Sequence, residues 1–452
     1  MPLRKAGPLN KNTKGRARET ADLLIVNANE LVTVAGDTTK PRTGKQMREL
    51  GIVKDGCLAV KEGRVVAVGK TSEVTRVYRG EEVVSAHGKT VLPGFVDAHT
   101  HLVFAGSREE EFEMRVEGAS YLEILSAGGG ILKTVRETRK ASIDRLVELG
   151  LKTLDVMLQH GTTTVEAKSG YGLTTKDELK ILEAARRANQ LHTVDVVLTF
   201  LGAHAVPSEF KGNTQGYVNL IVEDMLPKVA ASVLAEYCDV FCERGVFSLE
   251  QSKKILAAAR THGLRCKVHA DEMSLLGGAE LAADMGAVSA EHLLFASVDG
   301  VKAMAAKGVI AVLLPAAAFS LMLGRYADAR LMVDSGVPVA LGTDYNPSCL
   351  VENMQLVVAF ANHFMRLTPA EAITAATINS AWAVGRAKDV GSLEVGKKAD
   401  AIILDVPNHS FLGYRFGVNM VDKVIKNGRI AVDNESSPSQ IVHLEDYDSE
   451  RG

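Results

Sequence analysis

The chain has few cysteines, few aromatic residues and almost no surplus of charge. Its five cysteines, Cys57, Cys238, Cys242, Cys266 and Cys349, are scattered through 452 residues. That odd number and wide spacing exclude a short-spaced zinc motif and a disulfide scaffold. A reducing compartment suits them, so the expected location is cytoplasmic. The formal net charge of -3 gives no basic field for nucleic acid or for an anionic membrane. No apolar stretch reaches membrane-span length. The uncharged run Gly308–Gly324 falls short of the usual ~20 residues, and Pro315 interrupts it. It reads as a buried strand running into an apolar loop. No signal-peptide pattern opens the sequence: Arg4, Lys5, Lys11, Lys14, Arg16 and Arg18 precede any apolar core. Residues 1–19 read as a flexible basic arm.

What the chain does have is apolar bulk. Hydrophobic residues make up 46%, enough for a large core. The length fits one barrel of about 250 residues plus a smaller domain. Near the start, Leu23-Leu-Ile-Val, Cys57-Leu-Ala-Val and Val65-Val-Ala-Val are short strand-like runs, with Asp55-Gly and Glu62-Gly at expected turns. The texture returns at Asp400-Ala-Ile-Ile-Leu-Asp and around Asn427-Gly, an expected hairpin turn. Residues 20–92 and 393–432 are therefore expected to pair into one small β-domain. Residues 433–452 are polar and acidic, and a disordered tail is expected there.

Between the two ends, strands alternate with helical patterns, the signature of parallel βα units. Eight strands are predicted: 95–101, 162–168, 195–204, 239–243, 266–271, 288–292, 309–314 and 338–343. Asp177 to Asn189 and Leu249 to His262 are among the helical segments. The expected fold is α/β, a (β/α)8 TIM-type barrel over 93–392 with the small β-domain beside it.

The chemistry-bearing residues end the predicted strands. His99 and His101 lie in Gly94-Phe-Val-Asp-Ala-His-Thr-His-Leu, two apart, hence on one face of an extended chain. His269, His292 and Asp344 each close a later apolar run. A barrel gathers such residues at the C-terminal ends of its strands. Imidazoles and a carboxylate can hold a metal ion, which a hydrolase uses to make water acidic. A plain alternative is a set of core histidines.

With these residues placed, the chain resembles the amidohydrolase superfamily and, within it, the imidazolonepropionase family. The likeness covers about residues 20–432. It is carried by Leu92-Pro-Gly-Phe-Val-Asp-Ala-His-Thr-His-Leu-Val-Phe-Ala-Gly-Ser-Arg108, Gly118-Ala-Ser-Tyr121, Ala127-Gly-Gly-Gly-Ile, Lys168-Ser-Gly-Tyr171-Gly-Leu, Gly202-Ala-His204, His269-Ala-Asp-Glu272 and Asp344-Tyr-Asn346-Pro. The resemblance implies hydrolytic ring opening of 4-imidazolone-5-propanoate to N-formimidoyl-L-glutamate, in histidine degradation. It also implies one zinc or iron ion per subunit and a homodimer. His99, His101, His269 and Asp344 would hold the metal. Arg108, Tyr121, Tyr171, His204, Glu272, His292 and Asn346 would line the pocket of a substrate with a carboxylate tail. One segment departs from the family pattern: Ser348-Cys349 stands where Gly and then Ser or Thr are usual. These two residues would contact substrate through backbone N–H groups or through the side chain at 349.

Several roles stay open from sequence. Glu272 is the expected proton carrier, with Asp271 beside it as competitor and Asp344 as a partner in that role. His292 is expected to polarise the substrate carbonyl, with metal ligation as the other reading. Two-metal relatives require a lysine at the end of the fourth strand; Val240-Phe-Cys-Glu243 has none, and Lys168 falls on the second. Arg108 either clamps the carboxylate or pairs with Glu109, Glu110 and Glu111. Two rival functions are a base deaminase sharing this metal site and a catalytically inactive scaffold.

Overall fold

The computed structural model describes residues 18–434 apart from 38, 120–122 and 124–128. Two eight-stranded sheets organise it. The first is mixed and draws on both ends of the chain: β1 (Glu19–Val32), β2 (Ile52–Lys61), β3 (Arg64–Lys70), β4 (Tyr78–Ser85) and β5 (Thr90–Pro93), then β14 (Ala401–Leu404), β15 (Val421–Lys426) and β16 (Arg429–Asp433). Its order is β16-β15-β14-β5-β1-β2-β3, with β4 pairing β1. Leu23, Ile25, Leu58, Val60, Ile403 and Ile425 give it a core of its own.

The second sheet is all parallel: β6 (Phe95–Asp97), β7 (Thr162–Lys168), β8 (Asp195–Ala203), β9 (Tyr237–Cys242), β10 (Arg265–Ala270), β11 (Ser289–His292), β12 (Ile310–Leu313) and β13 (Val339–Leu341), in sequence order. All eight predicted barrel strands are present, most of them shortened. These strands read as continuous apolar runs because both faces are covered. Helices between them start on side-chain caps. Thr174 accepts from Asp177 N, and Ser248 forms a capping box with Gln251. Beyond the strand ends, Asp344 N donates to His99 O (3.0 Å) and His101 N to Tyr345 O (2.8 Å). These bonds join the first and last strands into a barrel.

The structure corrects four local expectations. Strand β6 stops at Asp97 rather than at residue 101, so His99 and His101 lie just past it. Asp55-Gly56 is no turn but lies within β2, opposite a bulge. The pairing there jumps from Ile25↔Leu58 to Ala28↔Gly56, and Asn27 and Asp55 have φ of 60° and 51°. Glu62-Gly63 and Asn427-Gly428 do form tight hairpin turns, each with positive φ at both residues. The run after β12 is a helix, Pro315–Ser320, not a loop; Pro fits its first turn, where no N–H is needed. At the ends, Glu19 already belongs to β1 and Asp433 to β16. The rest of the expected arm, residues 1–17, and of the expected tail, 435–452, lies outside the described residues. Among the described residues no helix is long and apolar enough to cross a membrane.

Candidate active site and metal centre

The strand ends bring His99, His101, His269, His292 and Asp344 together in the barrel mouth. The backbone turns left-handed at His292 (φ 70°) and Asp344 (φ 51°). Non-glycine residues take this conformation at a cost, and it concentrates at functional sites. The turn matters at His292. Adjacent strand residues point to opposite faces, yet Glu291 and His292 both reach the interior, because the extended chain ends between them.

The ligand atoms of His99, His101 and Asp344 lie within 4.8 Å of one another, and so do those of His99, His269 and His292. Asp344 Oδ1 is 3.4 Å from His99 Nε2 and 3.7 Å from His101 Nε2. Among the described residues no single such group holds all four expected ligands: His99, His101 and Asp344 share one, and His269 joins His99 in the group that includes His292. His292 stays within reach of both His99 and His269, with ring centroids 5.5 and 5.1 Å away. Burial pushes the pKa of His99, His101 and His292 well below the usual histidine value. These imidazoles are neutral, the form that binds metal.

A buried polar layer beneath them was missed at the sequence level. His99 Nδ1 stands 2.5 Å from Glu291 Oε2, and His269 Nδ1 2.8 Å from Asp239 Oδ2. Carboxylates in these positions favour the proton on Nδ1 and turn each Nε2 lone pair toward the cavity. Among the described residues, both ring nitrogens of His99 and of His269, and Asp344 Oδ1, are buried without a well-formed hydrogen bond. Orphaned buried polar atoms are costly, so a divalent cation fits this donor set. Lys168 Nζ lies 2.8, 2.8 and 3.0 Å from Asp239, Glu291 and Glu166, and Lys267 Nζ 2.8 Å from Glu166. Two by two, Glu166 and Lys168, then Lys267 and His269, share a face at spacing i, i+2. That periodicity of charge inside apolar strands was the available signal.

Glu272 and Asp271 separate cleanly. Asp271 is fully buried and accepts from the backbone N–H groups of Leu276, Gly277, Gly278 and Ala279. It holds a loop. Glu272 lines the cavity, 3.6 Å from His292 Nδ1. Burial first, and then the Asp344 carboxylate, push its pKa up to about 8. Burial likewise raises Asp344 to about 7.

The cavity, about 340 Å³, is lined among others by Arg108, Tyr171, His204, Asn346, Ser348 and Cys349. Arg108 is buried. It donates from Nε to Thr134 Oγ1 (3.2 Å) and from Nη1 to Ser348 Oγ, while Nη2 has no partner among the described residues. Its contact with Glu111 is long, 3.9 Å. Tyr171 is buried beside Gly170, whose φ of 111° and closeness to His204 (2.8 Å from a would-be Cβ) admit no side chain. His204 stacks on His101 at 4.7 Å, and burial takes its pKa to about 3. Asn346 and Cys349 exchange backbone hydrogen bonds, and the Cys349 thiol donates to Thr343 O (3.6 Å). Tyr121 lies outside the described residues.

A sequence profile described as "Amidohydrolase family" matches residues 90–431. Imidazolonepropionase of Alkaliphilus metalliredigens is 51% identical over 415 residues, covering 91% of this chain and 98% of its own. That of a Geobacillus species is 52% identical over the same shares. This chain belongs to the imidazolonepropionase family of amidohydrolases. It is a hydrolase acting on a C–N bond. Solved structures share the fold at low identity. An adenosine deaminase from Xanthomonas campestris with bound zinc has a TM-score of 0.69 at 19% identity, covering 92% of this chain and 94% of its own. The Escherichia coli guanine deaminase has 0.68 at 14%, covering 91% and 98%.

Proposed function

We propose that the protein opens the ring of 4-imidazolone-5-propanoate by adding water across a C–N bond, giving N-formimidoyl-L-glutamate in histidine degradation. The observation that carries this reading is the position of Arg108: a buried guanidinium whose Nη2 has no hydrogen bond among the described residues, in the same cavity as the unpaired imidazole and carboxylate atoms. A deaminase acting on a neutral base has no use for that cation. The site residues would hold one divalent ion, zinc or iron, through His99, His101, His269 and Asp344. When bound, the ion supplies the acidity that lets water react at neutral pH. A single ion is supported by Lys168. Its neighbouring carboxylates raise its pKa well above the usual value against the cost of burial. Carbamate formation needs a neutral amine, and this one is held as ammonium.

Glu272 takes a proton from the attacking water and passes it to the departing ring nitrogen, with Asp344 as second acceptor. A nearby dication favours the ionised form that this role requires. His292 donates a hydrogen bond to the carbonyl oxygen as charge develops there. Arg108, braced by Ser348, holds the propionate. Tyr171, His204, Asn346 and Cys349 enclose the ring, and the family resemblance adds Tyr121. A homodimer is supported by the exposed apolar residues Phe319, Phe364, Tyr414 and Phe416. Five buried free thiols support a cytoplasmic location.

The test is turnover of freshly generated 4-imidazolone-5-propanoate, with product identification by mass. Formiminoglutamate is expected, abolished by a chelator. Glu272→Gln should lower kcat by about 10²-fold or more with bound metal unchanged. Metal-loaded protein that leaves the ring intact would overturn the reading.

A further inference from the structure

Arg115 has no role in the site so far, yet its surroundings are those of a binding residue. It lies on the helix Glu109–Val116, whose N-cap is Arg108. Positions 108, 111 and 115 follow the i, i+3, i+7 spacing of one helix face. All three line the cavity. Among the described residues, the buried Nε of Arg115 makes no hydrogen bond and its guanidinium has no ion-pair partner within 4.0 Å. Burial draws its pKa below the usual arginine value; Glu111 partly offsets this, and the charge of Arg108 draws it lower.

Two arginines facing one cavity repel each other, and a buried donor without a partner costs free energy. Neither deficit is met among the described residues. The Glu111 carboxylate is engaged with Gly130 N (2.9 Å) and stands 3.9 Å from Arg108 Nε. Arg108, Arg115 and Glu111 together carry a formal charge of +1. A single carboxylate placed between the guanidinium groups neutralises that charge. Its two oxygens match in number the donors left without a partner among the described residues, Arg108 Nη2 and Arg115 Nε.

We propose that Arg115 is a specificity-determining residue that shares the substrate's carboxylate with Arg108. The inference rests on the ring-opening reading for the identity of the substrate, but not for the existence of the anion subsite. Arg108 is fixed by Thr134 and Ser348 and orients the tail. Arg115 supplies the second positive charge, and with it the preference for an acid over its neutral amide.

The experiment has a binding arm and a kinetic arm. The binding probe is 3-(imidazol-4-yl)propanoate, which has a five-membered ring and the same tail but no hydrolysable carbonyl. Its primary amide is the control. Calorimetry on zinc-loaded wild-type protein is expected to show the acid bound at least tenfold more tightly than the amide, as charge-assisted hydrogen bonds imply. Arg115→Gln should remove most of that difference by weakening the acid alone, and Arg115→Lys should restore part of it. In turnover, Arg115→Gln should raise KM at least tenfold with kcat within about twofold. A residue that only packs the helix would weaken acid and amide alike and lower the melting temperature in the glutamine and lysine variants equally. That pattern, or an acid preference unchanged in Arg115→Gln, overturns the proposal. Should wild type discriminate the probes through Arg115 yet fail to open the imidazolone ring, the reaction reading fails and the anion subsite stands.

Discussion

At the scale of single residues, position 348 is the most informative departure from the family pattern. A glycine is usual there, and the sequence alone raises doubt about substrate contact. The structure gives the serine hydroxyl a use: it accepts from Arg108 Nη1, 240 residues away along the chain. No local pattern reveals a partnership over such a separation. The neighbouring thiol of Cys349 donates to Thr343 O. Ser348→Ala is expected to leave a charged donor without its acceptor in a buried site, an effect of about 1.5 kcal/mol or roughly tenfold. It should appear as a higher KM for the imidazolone acid at nearly constant kcat. Unchanged KM would mean that Arg108 keeps its pose without the serine. Sequence puts Glu272 ahead of its competitor Asp271 without separating their surroundings. Both are acidic and adjacent, and only the loop geometry shows that one carboxylate is engaged by four backbone N–H groups.

At the scale of elements, the strands were legible and their inward-facing charges were not. Apolar runs of four to eight residues bounded by turn signals mark buried strands well. The histidines at their ends were visible because a His-x-His pair on an extended segment has one obvious geometric use. Glu166, Asp239, Lys267 and Glu291 fall inside the predicted strands, but strand periodicity alone does not show that charges from different strands meet in the interior. In the barrel they complete one another. Lys168 and Lys267, from β7 and β10, lie among carboxylates from β7, β9 and β11, all without solvent access. Two of those carboxylates, Glu291 and Asp239, stand beside Nδ1 of His99 and of His269. Asp239→Asn keeps the shape of the side chain and removes its charge. It should weaken zinc affinity by about 10–100-fold, measured against a competing chelator, while the far-ultraviolet circular dichroism stays that of the wild type. Affinity equal to wild type would show that His269 needs no carboxylate to hold its tautomer.

At the scale of the whole molecule, the barrel must be fastened to the segments that surround it, and Glu371 shows how. Its side chain is 1% exposed. It accepts from Arg48 Nε (3.0 Å) in the connection between β1 and β2, and from Arg330 Nη1 (2.9 Å) on a helix preceding β13. Through Thr368 N (2.8 Å) it also closes the capping box of its own helix, Pro369–Thr374. Burial alone would raise its pKa. The hydrogen bonds from Arg330, the Thr368 backbone and Arg48 outweigh burial and hold it at about 2, against an ordinary 4.5. A carboxylate whose folded pKa is depressed stabilises the fold fully above its unfolded pKa. That contribution fades as pH falls from about 4.5 toward about 2 and is gone below. Glu371→Gln can still accept and cap, but it carries no charge for the two arginines. It should therefore be less stable than wild type at pH 7, by on the order of 2 kcal/mol. The gap should narrow progressively in urea titrations at pH 4 and pH 3, because the wild type alone loses a charge there. A gap of constant size across that range would assign the effect to packing and capping, and the three-way ion pair would then not be what fastens the β1–β2 connection to the barrel.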